Sequence, residues 1–191
     1  MPVSFVREQK EKPRSADEGL KRVKIGLLWQ DASKLDDQID CDASVILCKN
    51  GKLASFKQDV VYYNNLHHVS GAISHQGDNY SGTDDGGDGE EIYIDLSCLS
   101  KEYDRVILVV TMYNSAKRKL DFGLLNGAYI HVCDIINDTE FCRINLAENF
   151  AGKSAIIVGE LQKDPDGKWG YRAVNEGTND NGILEVSKRF E

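Results

Sequence analysis

The strongest chemical signal in the sequence is a concentration of carboxylates in one short segment. Residues 78–91 contain six acidic side chains, four glycines and no Lys or Arg. The net charge of the chain is −8, so this segment carries most of it. Calcium takes six to eight oxygen ligands, and glycines let a backbone turn sharply around an ion. The acidic residues of this segment are Asp78, Asp84, Asp85, Asp88, Glu90 and Glu91.

A second acidic pair stands just before a strand-like run. Asp40 and Asp42 are two residues apart, so on an extended backbone both carboxylates point to the same side. Like charges on one face of a strand are unfavourable unless something cationic lies there, and no obvious basic partner is present. Asn64 adds a neutral amide oxygen from a third stretch. Together these segments indicate a site for a hard divalent cation.

Three interpretations of the acidic segment remain open on composition. It is a solvated linker, a calcium site, or a magnesium site of a phosphoesterase. The segment is not an EF-hand, because a loop counted from Asp84 puts Gly86, which has no side-chain ligand, at a ligand position. It is not a calcium β-helix either, because that fold needs tandem repeats and the sequence has a single copy. No P-loop, G-x-S-x-G or HExxH motif occurs, so we expect a protein that is not an enzyme.

Bulk composition narrows the class of protein. The chain has 191 residues, 41% hydrophobic and 28% charged, which is typical of one globular domain. Neither a membrane span nor a secretory signal is expected, because no apolar run is long enough and the first residues are polar. Concentrated acidity disfavours nucleic acid as a partner. The five cysteines fit no common zinc template and predict reduced, buried thiols.

The elements that must position these oxygens are strands. Hydrophobic periodicity predicts an all-β fold, a two-sheet β-sandwich with one or two short helices. An Asn-Gly pair at 50–51 and a Pro-Asp-Gly turn at 165–167 each predict a hairpin. Short helices are expected within 115–123 and 95–103. The predicted strands are 23–29, 43–48, 60–63, 72–75, 92–96, 105–113, 128–133, 140–146, 155–161 and 169–174.

The chain divides into three parts. Residues 1–19 are predicted to form an N-terminal arm that joins an edge strand or docks an acidic partner. Residues 20–178 are predicted to form the sandwich domain. Residues 179–191 are predicted to form a C-terminal tail that packs on the domain as one closing helix or strand.

Five stretches resemble, in order, the motifs of the tellurium-resistance TerD family. Residues 40–45 (DCDASV) resemble D-L-D-A-S-V, and residues 63–66 (YNNL) resemble F-Y-N-N-L. Residues 71–82 (GAISHQGDNYSG) resemble G-A-V-x-H-x-G-D-N-x-T-G. Residues 122–132 (FGLLNGAYIHV) resemble F-G-Q-V-x-N-A-x-I-R-V, and residues 155–177 resemble the closing A-M-I-F-G-E-L motif and its Trp-containing continuation.

The resemblance covers about residues 20–178 and implies a sandwich that binds calcium at loops on one end. It implies a cytoplasmic stress-response protein linked to tellurite resistance, a scaffold for other stress-resistance proteins at the inner membrane face. A cyclic-AMP-binding protein of the same broad family makes small-ligand binding an alternative, with Arg118 or Lys119 as phosphate contacts. His131 departs from the family's Arg. The implied calcium ligands are Asp40, Asp42, Asn64, Asp78 and Asn79, with two or three more from Asp84, Asp85, Asp88, Glu90 and Glu91.

Overall fold

Two antiparallel sheets build the protein in the residues that the structure, a computed structural model, describes: 19–31, 39–79 and 87–191. The strands are β1 (Arg22–Asp31), β2 (Cys41–Lys49), β3 (Val60–Val61), β4 (Ile73–His75), β5 (Glu90–Asp95), β6 (Tyr103–Met112), β7 (Leu125–Asp134), β8 (Thr139–Asn145), β9 (Ala155–Lys163) and β10 (Trp169–Thr178). The first sheet has the order β4-β5-β1-β7-β8 and the second the order β10-β9-β6-β2-β3. The predicted all-β, two-sheet sandwich is confirmed.

The core lies between the two sheets and is explained by the period of the strands. In β1, Val23, Ile25, Leu27 and Trp29 are all buried, at every second position. Side chains alternate between the two faces of a strand, so these four point to one side and pack into the shared core. This alternation fixes which residues of β1 face outward.

Short helices are more numerous than the one or two expected. Besides three 3-10 turns (Leu96–Cys98, Phe122–Leu124 and Lys188–Phe190), the described residues form α1 (Phe56–Asp59), α2 (Ser115–Arg118), α3 (Leu146–Asn149) and α4 (Ile183–Ser187). In α4, Ile183 and Val186 are buried with Ile107 and Ile157 on the outer face of the second sheet. This second cluster explains the continuous apolar runs of β6 and β9, because both of their faces are covered.

The two predicted hairpins have different outcomes. Strands β9 and β10 pair around the turn at 164–168, as predicted. At 50–51 the turn forms, with both residues at positive φ, but its return arm is a single bridge between Lys49 and Lys52. The next residue, Leu53, donates its N–H to the carbonyl of Phe190 instead, so the second strand of that hairpin is absent.

The ends of the chain are described in part. Residues 1–18, most of the predicted arm, lie outside the described residues. Leu20 is buried and donates its N–H to the carbonyl of Trp169 in β10. The C-terminal tail forms α4, so its alternative as a strand is wrong. No helix in the described part of the chain is long and apolar enough to cross a membrane.

Candidate metal centre

Three carboxylates from two distant segments meet at one end of the sandwich. Asp40 precedes β2, Asp42 is the second residue of β2, and Asp78 lies after β4. One oxygen of each lies within 4.8 Å of the other two. Asp40 is 7% exposed and Asp42 is 2% exposed, so both charges are removed from solvent.

The backbone around Asp40 is held rigidly. The indole N–H of Trp29 donates to the carbonyl of Ile39 at 3.1 Å. The N–H of Tyr113 donates to the carbonyl of Asp40 at 3.0 Å. Because Trp29 is itself fully buried, the core fixes the position of the acidic pair.

Glu90 joins the two acidic segments. Its Oε2 accepts the N–H of Ala43 at 2.7 Å, and its Oε1 accepts the N–H of Asn79 at 3.4 Å. The ring of His75 lies beside it, with Nε2 3.3 Å from Glu90 Oε2. His75 Nδ1 accepts the N–H of Gly77, so the proton of the neutral ring is on Nε2, facing the carboxylate. Glu90 therefore connects β2 and β5 to the segment after β4.

Sequence reasoning did not pair His75 with Glu90. The signal that would have found the pair is the register of β4 and β5. His75 pairs with Ile92, and Glu90 lies two positions earlier on the same face of β5. Both His75 and Glu90 are 1% exposed.

The charges of the cluster are unfavourable without a cation. Burial, followed by the charges of Asp40, Glu90 and Asp78, raises the pKa of Asp42 to about 9. Burial, followed by Asp78 and Glu90, raises the pKa of Asp40 to about 7, although Arg118 opposes the rise. The Oδ1 atoms of Asp40 and Asp78 are buried with no hydrogen-bond partner among the described residues. Buried acceptors without donors are rare, and an all-oxygen set suits a hard cation.

The other described residues of the acidic segment have basic partners. Lys24 Nζ lies 2.8 Å from Asp88 Oδ2 and 2.6 Å from Glu91 Oε1. His131 Nε2 lies 2.8 Å from Asp88 Oδ1. Burial favours a higher pKa for Asp88, but the hydrogen bonds from Lys24 and His131 outweigh it and hold that pKa below its ordinary value. Although the segment itself contains no Lys or Arg, other strands supply basic partners for Asp88 and Glu91.

The remaining predicted ligands are placed less centrally. Asn64 is exposed and lines, with Asp42, a cleft of about 250 Å³. Asn79 is half-buried beside Asp78. Asp84 and Asp85 lie outside the described residues.

Comparison with known proteins indicates one family for this chain. The TerD domain model matches residues 1–190, a longer span than the motifs suggested. Stress response protein SCP2 of Bacillus subtilis (strain 168) is 35% identical over 201 aligned positions, with 100% of both chains covered. Tellurium resistance protein TerD of Serratia marcescens is 35% identical over 178 positions, covering 93% of this chain and 91% of the relative.

A solved structure shows the same fold. It is described as a homologue of the telluride resistance protein TerD from Streptomyces coelicolor A3(2), and it superposes with a TM-score of 0.79. It is 21% identical to this chain and covers 91% of this chain and 99% of its own. At this identity the likeness concerns the sandwich alone.

Proposed function

The chain belongs to the TerD family of tellurium-resistance and stress-response proteins, and we propose that it binds calcium through Asp40, Asp42 and Asp78 without being an enzyme. One observation carries the proposal: these carboxylates converge to within 4.8 Å, and buried Oδ1 atoms of Asp40 and Asp78 lack a donor among the described residues. Bound calcium would supply the positive charge that offsets their repulsion. Asn64 and Asn79 are the proposed neutral contributors.

The residues around the three carboxylates hold them in place. Glu90 uses its oxygens to accept the N–H groups of Ala43 and Asn79, so it is proposed as a positioning residue and not as a ligand. His75 lies against the same carboxylate. Binding at this site would therefore fix the segment after β4 against the start of β2.

We further propose that this ordered end is a scaffold surface for other stress-resistance proteins in the cytoplasm, at the inner membrane face. Asp42 shares its cleft with Tyr63, Tyr113 and Leu184. Tyr113 is 42% exposed and Leu184 is 55% exposed, and the rings of Tyr63 and Tyr113 are 5.9 Å apart. Exposed aromatic side chains next to a fixed polar site are typical of protein-binding surfaces.

Calcium titration of the metal-stripped protein tests the metal proposal. Calcium at a hundredfold excess over the dissociation constant is expected to stabilise the fold by about 2.7 kcal/mol. For a chain of this size that is a rise in Tm of about 5–10 °C. Asp42→Asn should lose the rise, whereas Asp166→Asn, the same change in the exposed β9–β10 turn, should keep it. An unchanged rise in Asp42→Asn would remove Asp42 from the site.

The same titration with magnesium separates the proposal from a phosphoesterase. Magnesium demands near-octahedral geometry and retains several waters, whereas calcium accepts a more flexible set of oxygens. We expect tighter binding of calcium and no turnover of a phosphoester substrate. Preference for magnesium together with turnover would replace the proposal by the enzyme.

A small phosphate ligand, such as a cyclic nucleotide, is the second candidate, and one observation favours it. Arg118 is close enough to Asp40 to lower its pKa, so a guanidinium stands beside the acidic cluster. Calorimetry with cyclic AMP on calcium-loaded protein tests this candidate. Binding that is lost in Arg118→Gln would support it, and absence of heat in the wild type would reject it.

The scaffold proposal needs purified partners. Other stress-resistance proteins from the same cells, immobilised one at a time, should retain this chain only in calcium. Retention should fall for both Tyr113→Ala and Asp42→Asn. Equal retention with and without calcium would contradict a metal-ordered surface.

A further inference from the structure

A second group of metal-ligating side chains lies on the outer face of the first sheet. His131 and Cys133 are two residues apart on β7, so both point outward. Glu140 reaches the same place from β8. One donor atom of each of the three residues lies within 4.8 Å of the donor atoms of the other two. The set contains imidazole, thiol and carboxylate, unlike the all-oxygen cluster at the end of the sandwich.

A β-bulge brings Glu140 into this group. Strands β7 and β8 pair Val132 with Cys142 and then Cys133 with Glu140, so the register slips by one residue at Phe141. Without the slip, Phe141 would lie opposite Cys133 and Glu140 would face the other side. Bulges commonly redirect a side chain in this way. Arg143 then holds the carboxylate, donating to Glu140 Oε1 at 2.8 Å and Oε2 at 2.6 Å.

Asp88 sets the orientation and the tautomer of the His131 ring. His131 Nε2 is 2.8 Å from Asp88 Oδ1, so Nε2 carries a proton and donates it to the carboxylate. In the neutral ring Nδ1 is then left with its lone pair. Gly26 makes this contact possible, because a Cβ there would overlap His131 Nε2 and the carboxylate of Asp88. A carboxylate on the far nitrogen of a histidine is the usual support of a metal-binding imidazole.

The distances fit a tetrahedral ion. His131 Nδ1 is 3.3 Å from Cys133 Sγ and 3.5 Å from Glu140 Oε2. Zinc bonds of about 2.0–2.3 Å at tetrahedral angles place such donors about 3.4–3.6 Å apart. We propose that His131 Nδ1, Cys133 Sγ and Glu140 Oε2 form a second metal site, which takes zinc or a similar borderline divalent ion. A fourth position faces solvent and is left for water or an external ligand.

Binding would be coupled to release of a proton. Burial, followed by the charge of Glu140, raises the pKa of the Cys133 thiol, while Lys24 and Arg143 oppose the rise. Zinc binds cysteine as the thiolate, which forms from the thiol when the ion binds. When the ion binds, the S–H bond breaks, the sulfur–metal bond forms, and one proton passes to solvent. The rival arrangement is a protonated His131 that bridges Asp88 and Glu140 as a plain ion pair, and it predicts no metal binding.

Cobalt binding to the metal-stripped full chain tests the proposal, because a thiolate ligand gives cobalt a near-ultraviolet charge-transfer band. The carboxylates of the calcium site cannot give this band, so failure here leaves the calcium proposal untouched. We expect one equivalent of cobalt with the band and with visible absorption of tetrahedral intensity. Zinc should displace the cobalt and remove the band.

Four variants make the assignment specific. Cys133→Ser should abolish the band, and Cys98→Ser, at the exposed cysteine, should leave it unchanged. His131→Arg, which restores the residue of the family motif, should keep the fold by circular dichroism and lose cobalt binding. Asp88→Asn should weaken zinc binding by about 10–100-fold.

Two results would overturn the site. One is a wild-type protein that shows no thiolate band with cobalt. The other is a band that survives in Cys133→Ser, or that disappears in Cys98→Ser, because either would place the sulfur ligand elsewhere.

Discussion

Two groups of carboxylates in this protein have opposite environments. At the end of the sandwich, Asp42 is buried beside other carboxylates, and burial with those charges raises its pKa to about 9. On the outer face of the first sheet, Asp88 is also partly buried. Hydrogen bonds from Lys24 and His131 there outweigh burial and lower the pKa of Asp88.

The difference distinguishes carboxylates that would gain from a bound ion from carboxylates that the protein itself already neutralises. The protein already supplies the cations for Asp88 and Glu91, so an added ion has little repulsion to relieve there. In the described part of the chain, only Arg118 offsets the carboxylates that raise the pKa values of Asp40 and Asp42. The acidic segment is therefore divided: Asp78 joins the cluster that has the electrostatics of a calcium site, whereas Asp88 and Glu91 are already paired with Lys24.

The largest expected effect comes from removing the acidic pair. Asp40→Asn combined with Asp42→Asn should abolish the calcium-induced rise in Tm of about 5–10 °C. The same change should raise the Tm of the metal-free protein, because buried repulsion is lost. Differential scanning calorimetry with and without calcium measures both. A double variant that calcium still stabilises as fully as the wild type would show that Asp40 and Asp42 do not bind the ion.

The pH dependence of the metal-free protein is the next largest effect. The pKa of Asp42 rises from the ordinary 3.8 to about 9 on folding, so between these values the folded state holds more protons than the unfolded state. Stability therefore falls as pH rises through this window. Thermal melts of metal-stripped protein at several pH values should show the fall, and the double Asn variant should show a flatter profile. A wild-type Tm that climbs across the window would contradict the raised pKa.

Removing the cation on the outer face should have a smaller effect. Lys24→Met leaves Asp88 and Glu91 without their shared ammonium. Such a partly exposed ion pair contributes about 1 kcal/mol or less, so Tm should fall by no more than about 2–4 °C. The calcium affinity should stay that of the wild type in a calorimetric titration. A large loss of calcium affinity would mean that the two units are coupled.

The smallest expected effect is that of Asp88→Asn on calcium affinity, and it tests whether Asp88 is a calcium ligand. Asp88→Asn removes a charge from the same acidic segment but not from the converging cluster. Its calcium dissociation constant, measured by calorimetry, should equal that of the wild type within error. A clear weakening would return Asp88 to the set of calcium ligands.

The sequence predicts the fold and the acidic pair well, because both depend on local periodicity. The two-residue spacing of Asp40 and Asp42 is enough to place them on one side, and the structure adds Asp78 to them. What the sequence could not supply is contact between distant strands. Lys24 reaches Asp88 only because β1 lies next to β5 in the sheet.

Register shifts are equally hidden in the sequence. The register shift at Phe141 places Glu140 beside Cys133, and no residue spacing in the sequence predicts that shift. The second strand of the hairpin predicted at 50–51 is likewise prevented by a distant contact, because the N–H of Leu53 donates to the carbonyl of Phe190 near the C-terminus. Turn residues predict a turn, but tertiary contacts decide whether a paired strand comes after it.

Crystals grown with calcium, and measured for the anomalous signal of the ion, test the central claim most directly. The account predicts one anomalous peak about 2.3–2.6 Å from oxygens of Asp40, Asp42 and Asp78. A peak seated instead against Asp88 and Glu91, or a calcium-soaked crystal in which the three carboxylates surround no ion, would contradict it.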